Sequence, residues 1–179
     1  MKVAVTGGIA TGKSTVCSIF RELGFTVASS DEIAKNIREL PEVQSEVKHL
    51  LGVDPSDVIA IRAAISQFPE KRVSLNNIMH GRVLAAISDS TAQVIEVPLL
   101  FESAIPCLFP YIVCVSCDRA IQLDRLSDRV QDRNEAERLI ELQLPLRVKE
   151  LLSDVTIRTD LPLASVRTDV ARIGNRIAM

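Results

Sequence analysis

Gly7 and the run Gly12-Lys13-Ser14, four residues apart in MKVAVTGGIATGKST, form the pattern G-x-x-x-x-G-K-[ST], whose chemistry is the holding of phosphate. Small residues let backbone N–H groups close around phosphate oxygens, and a helix N-terminus behind them adds the positive end of its dipole. Lys13 can reach the β- and γ-phosphates of a nucleoside triphosphate, and the Ser14 hydroxyl can hold Mg²⁺. A glycine-rich turn with an incidental Lys-Ser would look the same as a bare string. The flanking residues decide against it, because an apolar strand-like run precedes the pattern and a helical one follows.

Such a loop needs elements to aim it. Val3, Ala4 and Val5 suit a buried parallel strand, and Thr15 to Leu23 reads as a helix that Gly24 terminates. Phe25 to Ser29, Gln93 to Val97, Tyr111 to Val115 and Asp154 to Ile157 read as four further strands. Helical stretches separate them, which predicts an α/β fold with a five-stranded parallel sheet and right-handed crossovers. A last helix over 163–177 carries Val166, Val170, Ile173 and Ile177 at helical spacing. Between strands two and three, residues 33 to 90 read as several short helices, broken at Pro41, at Gly52 to Pro55, at Phe68-Pro69 and at Gly81. That is longer than a crossover requires, so it is expected to form a substrate-binding flap.

Composition narrows the classes. The 179 residues suffice for one core with excursions, and its 47% apolar residues are mostly aliphatic, with no Trp and one Tyr. A formal net charge of −2 argues against holding nucleic acid by bulk electrostatics. No apolar run approaches the roughly 20 residues that span a bilayer, so no membrane partner and a cytoplasmic location are expected. Cys114 and Cys117 form a lone C-x-x-C, without the second pair or the nearby histidines that a zinc site would need. A guanine-nucleotide switch would require N-K-x-D and D-x-x-G, and neither string occurs.

Further candidates stand at strand ends and in the arginine-rich stretch. Asp31 follows strand two at the carboxyl end of the sheet, where α/β proteins place ligands; it can serve chemistry, or cap the next helix, or both. Arg62 lies either on a solvated helix face or against ligand. His80, expected at a helix end before Gly81, either caps that end or binds. In the run 118–139, Arg125 and Arg129 lie four apart on one helical face and can close over a triphosphate, whereas Arg119, Arg133 and Arg138 suit a salt-bridged surface.

TGGIATGKST, SSDEIA, VPLLFES, QLDRLSDR and IELQLPLRVKELLSD, in this order over nearly the whole chain, resemble dephospho-CoA kinase. The resemblance implies a P-loop kinase three-layer fold of the nucleoside monophosphate kinase type, with a helical CoA-binding insertion (32–90), a lid (119–151) and a core from the remainder. It implies transfer of the ATP γ-phosphoryl to the ribose 3′-hydroxyl of dephospho-CoA, with Mg²⁺. ATP would lie on Gly8, Ala10, Thr11, Gly12, Lys13, Ser14 and Thr15. Thr6, Asp31, Arg62 and His80 would serve the acceptor, and Asp31, Lys13, Arg125 and Arg129 the transfer. Another small-molecule or nucleoside monophosphate kinase on the same scaffold, or a weakly active member, is the alternative. Ala10 stands where Gly is usual, tolerable if its φ is negative and strained otherwise, and Thr159 stands where Asn is common; neither is expected to matter. Val58 and Leu139 stand where the family places arginines, and thereby remove two ligand cations.

Overall fold

The computed structural model describes residues 1–178. Two compact units divide the chain, one of residues 1–29 and 91–179 and one of residues 30–90.

The larger unit is built on five strands, β1 (Val3–Gly7), β2 (Val27–Ser29), β3 (Val94–Glu96), β4 (Tyr111–Ser116) and β5 (Val155–Arg158), all parallel in the order β2-β3-β1-β4-β5. Central β1 pairs Val3 with Val94 on one side and with Tyr111 on the other. The winding changes direction there, which is where such sheets open a crevice for ligand beyond the strand ends. Every side chain of β1 is buried, so the strand reads as a continuous apolar run instead of an alternating one.

Alternation still sorts the two faces. Val3 and Val5 join Val113, Val115 and Ile157 beneath α1 (Lys13–Glu22) and α9 (Leu163–Ala178), which contribute Phe20, Val170 and Ile173. The opposite face meets α8 (Leu146–Leu151), which packs on β1 and β4. Between β4 and α8 run α6 (Arg119–Val130) and α7 (Arg133–Glu141), packed on each other.

The smaller unit holds α2 (Ser30–Arg38), α3 (Pro41–Leu51), α4 (Val58–Gln67) and α5 (Pro69–Asp89) around a cluster of Ile37, Val43, Val47, Leu51 and Ile61. Pro41 and Pro69 open α3 and α5 at the position where a missing N–H costs least, and Asp57 caps α4 through the amides of Ile59 and Ala60.

The expected α/β parallel sheet is present with all five strands. Boundaries move by up to two residues: α1 begins at Lys13, β2 begins at Val27, and β5 runs on to Arg158. One expected break is overturned. Gly81 does not end a helix, because α5 continues from Pro69 to Asp89 and one interior glycine costs a helix only about 1 kcal/mol. His80 therefore sits mid-helix, where it cannot act as a C-terminal cap.

Candidate functional site

β1 delivers the chain into the phosphate loop, and α1 leaves from it. Gly12 is left-handed (φ 90°), and a Cβ there would lie 3.1 Å from the Thr159 hydroxyl, so this position needs glycine on both counts. Thr11 is fully buried and its hydroxyl donates to the Gly8 carbonyl at 2.9 Å, tying the loop across itself. Lys13 Nζ donates to the carbonyls of Gly7 (3.2 Å) and Gly8 (2.7 Å), which fixes its ammonium at the mouth of the loop. Ser14 and Thr15 are exposed at the start of α1. For Ala10 the strained alternative holds: its φ is +60°, a left-handed conformation that costs a residue with a Cβ about 1 kcal/mol.

Thr159, expected to be a neutral replacement, is a junction. Its hydroxyl donates to the Thr11 carbonyl at 2.6 Å and accepts from Arg125 Nη1 at 3.0 Å, while Arg125 Nη2 reaches the Thr159 carbonyl at 2.9 Å. Beside it, a cavity of about 320 Å³ is lined by Gly12, Thr15, Arg125, Leu161, Leu163 and Val166. Apolar walls below a planar guanidinium suit a flat aromatic ring. Arg129 lies one turn further along α6, exposed, with no hydrogen bond or ion pair among the described residues.

The ends of β4 and β5 are pinned together nearby. Arg158 pairs with Asp118 at 2.6 Å and, more tightly, with Asp160, whose carboxylate also accepts from the Asp118 amide at 3.1 Å. The Arg158 hydrogen bonds hold the Asp160 carboxyl down at about 2, and those from Asp160 and Asp118 raise Arg158 further. Thus Asp118, which precedes α6, and Thr159, which anchors Arg125, share one support.

On the other face, Lys149 has no exposed surface and is neutralised by Glu102 at 2.7 Å; its ammonium also donates to the Pro98 carbonyl at 3.0 Å. Burial alone would raise the Glu102 carboxyl, but hydrogen bonds from Lys149 and the Leu144 amide, with the Lys149 charge, outweigh it and leave it below the usual range. Thr6 is fully buried, with its hydroxyl 3.5 Å from the Pro98 carbonyl.

α6 and α7 reach the loop as well. Ile9 and Ala10 pack against an apolar cluster of Leu123, Leu126 and Ala136. Leu139 packs against the same cluster. Gln122 and Gln143 hydrogen-bond the Ile9 backbone, and both line a second cavity of about 450 Å³ with Cys117, Arg119, Arg147 and Glu150. Arg133 and Arg138 make the surface pairs expected of them, with Asp124 and Glu135, each at 2.9 Å.

Within the smaller unit Asp31 is exposed in the first turn of α2, which starts at Ser30. It is therefore not the N-cap, and its charge favours the helix dipole instead. Arg62 is exposed on α4 and His80 on α5, two helices that pack together. Val58 opens α4, also partly exposed.

Among the described residues there is no group of three or more metal-ligating side chains and no helix long and apolar enough to cross a membrane. The four cysteines are unpaired, with Cys17, Cys114 and Cys117 buried. Burial pushes the thiols of Cys17 and Cys114 up to about 12, so neither is a nucleophile at neutral pH.

A phosphate loop leaving the central strand of a five-stranded parallel sheet in this order defines a P-loop kinase fold, and the chain is a phosphotransferase. The solved structure of TT1252 from Thermus thermophilus superposes with a TM-score of 0.81 at 23% identity over 98% of this chain and 97% of that one. The family model for dephospho-CoA kinase matches residues 1–164, and the chain belongs to that family. A dephospho-CoA kinase from Fusobacterium nucleatum is 35% identical over 99% of this chain and 98% of its own length. The structure of the dephospho-CoA kinase from Campylobacter jejuni matches with a TM-score of 0.70 at 25% identity, covering 99% and 98% of the two chains.

Proposed function

We propose that the chain transfers the γ-phosphoryl group of ATP to the ribose 3′-hydroxyl of dephospho-CoA, in the cytoplasm, as the closing step of coenzyme A biosynthesis. The observation that carries this is the phosphate loop with Lys13 at its mouth beside the cavity under Arg125, in a chain of this family. The adenine ring enters that cavity against Leu161, Leu163 and Val166, and the triphosphate runs along the loop from Gly8 to Thr15.

In the transfer, a lone pair of the 3′-oxygen attacks the γ-phosphorus as the bond to the β-bridging oxygen breaks, ADP leaves, and the hydroxyl proton passes to the Asp31 carboxylate. Positioning and charge neutralisation do most of the catalysis. Lys13 bears on the β- and γ-phosphates. Arg125 and Arg129, on a lid made of residues 119–151, cover the transferring group. Residues 32–90 hold the acceptor, with Arg62 and His80 toward its anionic groups. The exposed Ser14 hydroxyl is a hard oxygen donor of the kind Mg²⁺ takes alongside phosphate oxygens. Mg²⁺, when bound there, neutralises charge on the phosphates.

An ADP-release assay with ATP, Mg²⁺ and dephospho-CoA, beside adenosine, AMP, CMP and shikimate, tests the reading. Turnover with dephospho-CoA alone is expected. Turnover with a different acceptor reassigns residues 32–90 and overturns the acceptor assignment, and no turnover with any of them overturns the activity.

A further inference from the structure

The backbone of one residue of the phosphate loop, Ile9, is gripped from both sides. Gln122 Nε2, on α6, donates to the Ile9 carbonyl at 2.8 Å, and Gln143 Oε1, just after α7, accepts from the Ile9 N–H at 2.8 Å. The Ile9 backbone offers one donor, in the Gly8–Ile9 peptide, and one acceptor, in the Ile9–Ala10 peptide, so the pairing fixes the orientation of both side-chain amides and holds two successive peptide units. Gln122 is 1% exposed, and its bond is made out of competition with water.

The grip falls where the loop most needs it. The residue after Ile9 is Ala10, held at φ +60° against its own preference. A Cβ on Gly8 would come within 2.6 Å of the Gln122 amide nitrogen, so the glycine before Ile9 is shaped to this contact. The side chains of Ile9 and Ala10 add an apolar anchor on Leu123 and Leu126. Hydrogen bonds and packing from outside the loop thus impose a conformation that its own sequence disfavours.

We propose that Gln122 and Gln143 are positioning residues for nucleotide binding: by holding the Ile9 backbone they set the loop amides in the phosphate-cradling arrangement before nucleotide arrives, sparing the ordering cost at binding. They act through the loop and not on substrate. The proposal rests on the nucleotide reading of the loop given above.

Calorimetric titration of the full chain with ATP and with ADP tests it. Gln122→Met and Gln143→Met keep the shape and lose the bonds, and each is expected to raise both dissociation constants roughly tenfold, the scale of one hydrogen bond at a preorganised site. The KM for dephospho-CoA should stay within about twofold, since the lost bonds bear on the loop alone. Gln143→Glu retains an acceptor and Gln122→Glu loses the donor. The added charge is common to both, so the first should bind ATP more tightly than the second. Wild-type ATP affinity in a folded Met variant, or equal affinities in the two Glu variants, would overturn the proposal. Should Gln122→Met fail to fold, Gln143→Met against Gln143→Glu decides alone: no difference between them overturns it. Failure of the unaltered chain to bind ATP would instead defeat the nucleotide reading, and this proposal with it.

Discussion

Arg125 is held to Thr159 by two hydrogen bonds, to its hydroxyl at 3.0 Å and to its carbonyl at 2.9 Å, and the same hydroxyl continues to Thr11 of the phosphate loop at 2.6 Å. A residue of the β5 end therefore connects an α6 arginine with the loop. Thr159→Val keeps the shape and removes the hydroxyl. It should raise the ATP KM by up to roughly thirtyfold, at about 1 kcal/mol for each of the two lost bonds, and Arg125→Lys should do as much because an ammonium lacks the two-pronged geometry. ATP titration at fixed acceptor measures both; a change under about twofold would leave Thr159 as packing only.

In the proposed mechanism Asp31 and Lys13 bear on different kinetic parameters. Asp31→Asn should lower kcat by roughly 10²–10⁴, the usual contribution of a general base, with little change in the ATP KM. Lys13→Ala removes a preorganised charge and should cost kcat/KM for ATP roughly 10²–10³. Near-normal turnover in Asp31→Asn would reduce that carboxylate to a helix-dipole partner.

The buried pair of Lys149 and Glu102 sets a stability prediction. Lys149→Met strands Glu102, a carboxylate with 24% of its side chain exposed, and should cost about 3 kcal/mol. For a chain of this size that lowers Tm by roughly 6–12 °C. Adding Glu102→Gln should recover part of the loss, because the uncompensated charge goes with it. Thermal unfolding followed by circular dichroism reads both, and additive losses would contradict a coupled pair.

Acid should act on Asp160. Its folded value of about 2 lies below the ordinary carboxylate, so its contribution is full above about pH 4 and is lost as pH falls toward 2. At pH 7, Asp160→Asn should cost roughly 1.5 kcal/mol, the low end for a charged hydrogen bond because its partner Arg158 is 40% exposed. The gap between variant and wild type should close near pH 2. Urea unfolding at several pH values checks the slope, and a pH-independent gap would deny the carboxylate its part.

The larger architecture was legible because it rests on local signals. Short apolar runs ending in small residues marked β1 to β5, and the glycines with Lys13 and Ser14 marked the loop. Gly81 misled, since a helix supported by tertiary packing absorbs one glycine. The support of the loop was not legible in the same way. Gln122 and Gln143 lie 113 and 134 residues from Ile9, and uncharged amides carry no spacing signature of their own. One clue existed for Gln122: it shares the inward face of α6 with Leu126, where a polar side chain requires a buried partner. Residue type alone reveals neither the φ of Ala10 nor the contact partners of Thr159.

The cysteines offer a simple check on the packing. Cys107 is exposed, whereas Cys17, Cys114 and Cys117 are buried with raised thiol values. At pH 8 a thiol reagent should titrate one group rapidly in the native protein and the other three only on unfolding. Two or more fast groups would mean that the strand ends around Cys114 and Cys117 open readily.

Residues 30–90 carry their own apolar cluster around Val43, Val47 and Leu51, separate from the cluster beneath α1 and α9. In evolutionary terms the segment is a cassette. A substitution on its surface, such as one at the exposed Val58, leaves the apolar interior beneath α1 and α9 as it is. If the segment holds the acceptor, as proposed, its surface can be altered without repacking the interior that supports the phosphate loop.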